Sequence, residues 1–285
     1  MKNDLKPQLE WDIQVENVEI SRAFETGKLA LFRNDTDKLL GLVSKKYNPI
    51  SNQQFMNFAN RLAHTGEFEL QGFTELKGGK IVVAFLKNSN PKLTINGFPN
   101  EEYLFIGNSF DGSKPFHIGT ASSLVRCENQ FTSTLKVFSQ KHLSLVHMDD
   151  TMIRDVLEGY KKQSLLLYGS FDGMHEVLVD EAAIEDFMNQ VKALLSKPDE
   201  KTNGEMKSWT AYPRLLSLRR AIDREMNDLG RNAFGLFNGV TYYTTHNLKT
   251  INQLGSQLNG TAKMMNELAL RYCNQLKEKN LITHN

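Results

Sequence analysis

The sequence has little of what marks disulfide-rich, metal-binding or membrane-spanning proteins. Only two of its 285 residues are cysteines, Cys127 and Cys273, and they show no CxxC spacing. Neither a disulfide framework nor a zinc site is therefore expected. No apolar run approaches the ~18 residues of a membrane span, and the opening MKNDLKPQLEWD has no apolar core of a secretory signal. We expect a cytoplasmic protein without a membrane partner.

The sequence also has no excess of charge of one sign. The chain has 34 basic and 33 acidic residues, which give a net charge of +1. Bulk positive charge therefore cannot drive binding, and any nucleic-acid site must be a local patch. The hydrophobic content of 40% is ordinary for a globular protein, and the length suits one large domain or two smaller ones.

Strong catalytic and cofactor motifs are absent as well. The sequence has no GxGxxG, GxxxxGK[ST], HExxH or GxSxG. The glycines of GNSFDG favour a turn, with Asp111 and Gly112 supplying positive φ angles. His142, His147, Asp149 and Asp150 are the densest set of possible metal ligands, but capping of the following helix by Asp149 or Asp150 is the favoured interpretation. We predict no catalytic residue, no metal and no cofactor.

The pattern predicts an α+β fold, with an antiparallel β-sheet and one packed helix in the N-terminal half and a helical C-terminal half. Hairpins are expected at residues 29–44 and 68–87, where apolar runs flank turn residues, and within 103–136. Ser51 is the predicted N-cap of a helix that Gly66 ends. After Asp149, apolar residues recur at helical spacing, with helices expected from Val177 to Leu195 and from Pro213 onward.

The predicted organisation is an N-terminal arm at residues 1–28, mainly antiparallel sheet at 29–148 and a helical region at 149–285 packed on the sheet. These parts are expected to form one compact domain. The polar segment 196–208 (SKPDEKTNGEMKS) is a predicted mobile loop.

Basic residues beside aromatic ones are the best candidates for a binding surface, because cations hold phosphates and aromatic rings stack on bases. The alternative is a solvated helix face anchored by Trp209, and for Arg126 a buried ion pair with a glutamate, with Asn129 bonded to backbone groups. The candidate nucleic-acid-binding residues are Lys45, Lys46, Tyr47, Lys77, Lys80, Arg126, Lys207, Trp209, Arg214, Arg219 and Arg220.

Short motifs occur in an order that resembles the phage/plasmid-like family grouped as domain of unknown function 932. The first is LLGLVSKKYNPISNQQFMNFANRL, and the others are FTELKGGK at 73–80, NSFDGS at 108–113, VRCEN at 125–129 and FGLFNGVTY at 234–242. The resemblance covers roughly residues 41–272. The chain departs from the family pattern at Glu128, Phe234 and Phe237, where a second Asn, Trp and Tyr are common.

The resemblance implies a protein carried by phages, prophages or plasmids, which would act in the cytoplasm of the host cell. The layout looks like the β-β-β-α core of single-strand annealing proteins, and the implied partner is single-stranded DNA. We therefore expect a homo-oligomeric DNA-binding or annealing protein acting in replication or recombination, and we favour a binding protein over an enzyme. One alternative is an interaction or assembly protein that uses its 17 phenylalanines to bind a host or phage protein. The other is a metal-dependent nuclease using His147, Asp149 and Asp150.

Overall fold

The computed structural model describes residues 5–20, 24–89, 94–95, 98–124, 130–195, 212–249, 256–257 and 260–283. The fold is α+β with antiparallel sheets, and most helices lie in the C-terminal half, as predicted. The chain forms two compact units. The first unit contains Met1–Pro91, Glu101–Ala121 and Thr134–Ser164, and the second contains Lys92–Asn100, Ser122–Ser133 and Leu165–Asn285.

A three-stranded antiparallel sheet opens the first unit. Its strands are β1 (Ile13–Ile20), β2 (Phe24–Arg33) and β3 (Leu39–Ser44), in that spatial order. The predicted hairpin at residues 29–44 is confirmed. The segment Ile13–Ile20 of the expected N-terminal arm is a strand, because it pairs along β2 from Arg33 to Phe24.

A second sheet makes the fold a two-sheet structure, where the sequence suggested a single sheet. Its strands are β4 (Phe68–Leu76), β5 (Ile81–Asn88), β6 (Thr94–Ile95), β7 (Phe98–Ser109), β8 (Phe116–Leu124) and β9 (Gln130–Gln140). Their spatial order is β4-β5-β7-β8-β9, with β6 paired to β7. The β4–β5 hairpin is confirmed, and Lys77, Gly78 and Gly79 take positive φ angles in its turn.

The turn between β7 and β8 differs in detail from the expectation. Gly112 has the predicted positive φ of 69°, but Asp111 is not among the residues with positive φ. The Asp111 carboxylate instead accepts the Ser113 N–H at 3.0 Å. The aspartate therefore stabilises the turn through its side chain.

Helix α1 (Asn52–His64) is the helix predicted for the N-terminal half, and it packs on β4 and β5. Ser51 caps it as expected: its hydroxyl accepts the Gln54 N–H, and the Gln54 side chain accepts the Ser51 N–H. Phe55 and Phe58 on its inner face are fully buried. Their rings contact Phe73 and Phe116, so local capping and apolar packing fix the helix together.

The remaining helices are α2 (Asp150–Phe171), α3 (Glu181–Leu195), α4 (Tyr212–Leu229), α5 (Ala233–Tyr242) and α6 (Thr261–Thr283), with a 3-10 turn at Met174–Glu176 and a π-helical turn at Tyr243–Asn247. The expected start of α3 at Val177 is wrong. Leu178 forms a β-bridge with Asn232, and Asp180 caps the helix by accepting the Ala183 N–H at 2.8 Å.

Candidate nucleic-acid interface

Strand β3 is an edge strand, and the β7–β8 turn lies along it. Gly41 packs on this turn so closely that a Cβ added to it would lie 2.6 Å from the Cα of Asp111. A Cβ on Gly112 would lie 3.7 Å from Cγ1 of Val43. The middle of β3 therefore contacts the turn directly through backbone.

The β4–β5 turn adjoins the same region. The Lys80 carbonyl accepts the N–H of Phe110 at 2.8 Å, which places this turn beside the β7–β8 turn. Gly78 lies against the Nζ atom of Lys38, the residue that precedes β3. Segments distant in sequence thus meet along one edge strand.

Lysines occur at both ends of β3 and in the two turns that approach it. Lys38 precedes β3, Lys45 and Lys46 follow it, and the two turns contribute the others. We call this set the lysine row: Lys38, Lys45, Lys46, Lys77, Lys80 and Lys114. With six residues, β3 is about 20 Å long at the usual rise per residue, and it separates Lys38 from Lys45.

The lysine row is cationic because most of its charges are not paired. Among the residues that the structure describes, Lys38, Lys46, Lys77, Lys80 and Lys114 form no ion pair. The first three of these side chains are exposed, and the last two are half-buried. An extended polyanion could therefore contact several ammonium groups in succession.

Two basic residues near the lysine row, Lys6 and Arg33, form ion pairs within the fold instead. Arg33 donates to Asp35 and, at 2.5 Å, to Glu75, and its guanidinium lies over the Trp11 ring at 4.2 Å. The hydrogen bond from Arg33 lowers the pKa of Asp35 to about 2. Burial raises the pKa of Glu75, but the hydrogen bonds from Lys6 and Arg33 outweigh it and hold that pKa below its ordinary value. These contacts join the two sheets near the lysine row.

Tyr47 occupies the core beneath the lysine row. Its hydroxyl donates to the Ser109 carbonyl at 2.5 Å, and its ring stacks on His142 with centroids 4.6 Å apart. Only 8% of the residue is exposed, and burial raises the pKa of its hydroxyl. A base cannot stack on this ring in the folded protein, so we reassign Tyr47 from base contact to support of the turn that β3 contacts.

The predicted arginines lie on α4 in the second unit. Arg219 pairs with Glu181 and, at 2.9 Å, with Asp223, so its charge is balanced within the unit. Arg214 and Arg220 are exposed. The remaining candidates, Arg126, Lys207 and Trp209, lie outside the described residues, as does the predicted loop 196–208.

Three of the possible metal ligands make contacts within the fold, and His142 is the one that stacks on Tyr47. Asp149 accepts the Met152 N–H at 3.0 Å and so caps α2, which confirms the capping interpretation; this bond lowers the pKa of its carboxyl. Asp150 pairs with Arg61. In the described part of the chain, no group of three or more His, Cys, Asp or Glu side chains is arranged to hold a metal ion.

Sequence reasoning found four members of the lysine row and missed Lys38 and Lys114. Both belong to tight turns, which run over the protein surface, and this was the available signal. Their proximity to the others depends on Gly41 and Gly78, which allow the turns to approach β3.

Fold and site together define an α+β protein with a cationic edge strand. Residues 39–269 match the family described as Domain of unknown function (DUF932), and the chain belongs to that family. No curated protein and no solved structure matches the chain. None of the described helices is both long and apolar enough to cross a membrane.

Proposed function

We propose that the protein binds single-stranded DNA, in replication or recombination of a phage or plasmid. The observation that carries this proposal is the lysine row, in which exposed ammonium groups follow one edge strand. The net charge of +1 does not oppose it, since a local cationic track supplies the attraction that the whole molecule lacks.

The row suits a flexible strand. Its lysines come from three turns and both ends of β3, and the strand separates Lys38 from Lys45 by about 20 Å. An extended single strand can adjust its backbone to such a track and place a few phosphates on it. Lysine acts as a point charge without a required geometry, which fits binding without sequence preference.

If several copies assembled side by side, their lysine rows would form a longer cationic surface. Each chain contributes only a few phosphate contacts, so a single copy would bind weakly at physiological salt. We therefore include homo-oligomers on DNA in the proposal. The likeness to the β-β-β-α core of annealing proteins belongs to it as well and rests on fold-level analogy.

The described residues favour DNA binding over the two alternative functions. Twelve of the phenylalanines are buried, so they do not form an exposed interface: Phe55, Phe58, Phe68, Phe73, Phe85, Phe105, Phe110, Phe116, Phe171, Phe187, Phe234 and Phe237. Two of the residues that the nuclease hypothesis would use have structural roles: Asp149 caps α2, and Asp150 pairs with Arg61.

Fluorescence anisotropy with a labelled oligonucleotide of about 30 nucleotides tests the proposal, since this exceeds the site size of a single small binding fold. We expect binding at low salt that weakens steeply as salt rises. The Lys77→Gln/Lys80→Gln variant should bind several-fold more weakly. Lys162→Gln is the control, because this exposed lysine follows Tyr160, which packs on Phe68 at the opposite end of the β4–β5 hairpin. Absence of binding at low salt would refute the proposal.

A further inference from the structure

A pocket of about 320 Å³ lies in the first unit, between α1 and the chain segment 142–148. This volume falls at the lower end of the range for small-ligand pockets. Gln54, Asn57 and Arg61 line the pocket from α1 at spacings of three and four residues, so they share one face of that helix. We call residues 142–148 the arch and the space between it and α1 the arch pocket.

Hydrogen bonds fix both ends of the arch. At one end, the N–H of Asn48 donates to the His142 carbonyl at 2.6 Å. At the other end, Arg61 donates to the Met148 carbonyl and pairs with Asp150. The walls of the pocket are therefore held in place by the fold, and a ligand would not have to order them.

The two ends of the arch pocket differ in charge. At the first end, Lys141 directly precedes His142, and the side-chain amide of Asn48 donates to the Lys46 carbonyl at 3.4 Å. Lys46 and Lys141 are exposed, and neither forms an ion pair with the described residues. At the opposite end, the arginine is balanced by its aspartate. An anionic group is therefore favoured at the first end only.

Apolar walls and amide groups line the arch pocket together. Three amides line it, and part of each is already bonded: Gln54 accepts the Ser51 N–H, Asn57 accepts from Gln53, and the Asn48 nitrogen donates to carbonyls. Among the described residues, the amide nitrogens of Gln54 and Asn57 and the amide oxygen of Asn48 have no hydrogen-bond partner. The apolar lining residues are Pro49, Ile50, Phe58, Leu145, Val146 and Met148.

We propose that the arch pocket binds one unpaired base of the single strand, with a neighbouring phosphate of that strand at Lys46. This inference rests on the proposed function and adds a base contact to its phosphate contacts. Lys46 and Asn48 are two residues apart, so their Cα atoms are at most about 7 Å from each other. One nucleotide and a lysine side chain together can cover that distance.

A base matches the pocket in both of its chemical features. Its faces are apolar and pack on apolar side chains, and its edge carries donors and acceptors that amide side chains pair with. The edge of thymine, for example, has two carbonyl oxygens and one N–H, which suit the two amide donors and the one amide acceptor. In a duplex this edge is paired with the opposite strand, so the pocket selects unpaired nucleic acid.

An apolar side chain of a partner protein is the other occupant that the size of the pocket allows. Such a side chain would cover the amides of Gln54 and Asn57 without pairing them, which is unfavourable. It would also leave the two lysines at the first end without a role. The amides and the lysines therefore favour a nucleotide.

Fluorescence anisotropy with an oligothymidine and an abasic strand of equal phosphate number tests the inference. The wild-type protein should bind oligothymidine about tenfold more tightly, as expected when a base packs on the protein. Asn57→Ala/Leu145→Ser should bind both strands equally, at the abasic level. The matched control is Asn60→Ala/Leu143→Ser, because Asn60 is exposed on the same helix, Leu143 and Leu145 are each 61% exposed, and neither control residue lines the pocket. The control should keep the preference.

Four outcomes would overturn the inference. Equal affinity of the wild-type protein for both strands would leave the proposed function standing and remove the base contact. A preference retained by Asn57→Ala/Leu145→Ser would place the bases elsewhere. A preference lost in the control as well would mean that the substitutions act through the arch and not through the pocket. Binding of neither strand by the wild-type protein would remove both proposals. Urea unfolding should give all variants the wild-type midpoint, since the substituted side chains are exposed.

Discussion

Gly239 of α5 lies directly against the backbone of Ile222 in α4. A Cβ added to Gly239 would overlap the Cα of Ile222 and lie 2.9 Å from its backbone nitrogen. One turn earlier, Gly235 contacts Met226 in the same way, with 3.1 Å from an added Cβ to the Met226 Cα. The two glycines of FGLFNGVTY thus allow helix–helix contact through backbone, and this explains why the segment tolerates glycine inside a helix.

Gly239→Ala should destabilise the protein. The added methyl group has no space, and separating α4 from α5 costs about 1–3 kcal/mol, as overpacking does elsewhere. Gly169→Ala is the matched control, because Gly169 lies inside α2 with no atom within 4 Å of an added Cβ. That change should be neutral or stabilising. Urea unfolding of both variants checks the prediction, and equal stability would contradict the close contact.

Tyr47→Phe should reduce stability and leave DNA binding unchanged. The variant leaves the Ser109 carbonyl without the tyrosine hydroxyl, which typically costs about 1–2 kcal/mol for a buried hydrogen bond. Tyr212→Phe is the control, since that residue is 70% exposed. Thermal unfolding and anisotropy together decide the role of Tyr47. Weaker DNA binding at unchanged stability would restore it as a base contact.

The elements that sequence could predict have local causes. Ser51 and Gln54 form a capping box within one turn, and Gly78-Gly79 supplies the positive φ angles of its own hairpin. Such signals need only the neighbouring residues. The antiparallel hairpins and α1 follow from them, as does the α+β class.

The site depended on contacts that no local pattern contains. Tyr47 lies in the polar sequence SKKYNPIS and looked exposed, yet His142 and Ser109 enclose it from distant parts of the chain. Gly41 likewise gave no sign that it would lie on Asp111. The charge of Arg219 is visible in sequence, but its neutralisation by Glu181 requires α3 and α4 to pack together.

Glu181→Gln should remove part of the acid sensitivity of the protein. Hydrogen bonds from Arg219 and Arg231 lower the pKa of Glu181 from its ordinary value of 4.5 to about 2. A carboxylate with a lowered pKa in the folded state stabilises the fold above pH 4.5, and this contribution is lost as the pH falls towards about 2. The variant should therefore unfold with a smaller pH dependence in that window.

Glu185→Gln is the control for this change, because Glu185 is exposed on the same helix and makes no ion pair with the described residues. It should retain the wild-type pH dependence. Urea midpoints measured across the acid range provide the comparison. A Glu181→Gln curve parallel to the wild-type curve would show that the two arginines do not hold this carboxylate in solution.

Lys46→Gln and Lys77→Gln should each flatten the salt dependence of DNA binding. A lysine that neutralises one phosphate contributes about 0.7 to the slope of log K against log salt for single strands. Each variant should lower the slope by about this amount and the double variant by about twice as much, whereas Lys162→Gln should leave it unchanged.

A weaker affinity with an unaltered slope would mean that these lysines act through the fold and not through phosphates. The two lysines stand near opposite ends of β3, so equal effects would show that one strand spans the whole lysine row, and an effect of only one would confine the contact to that end.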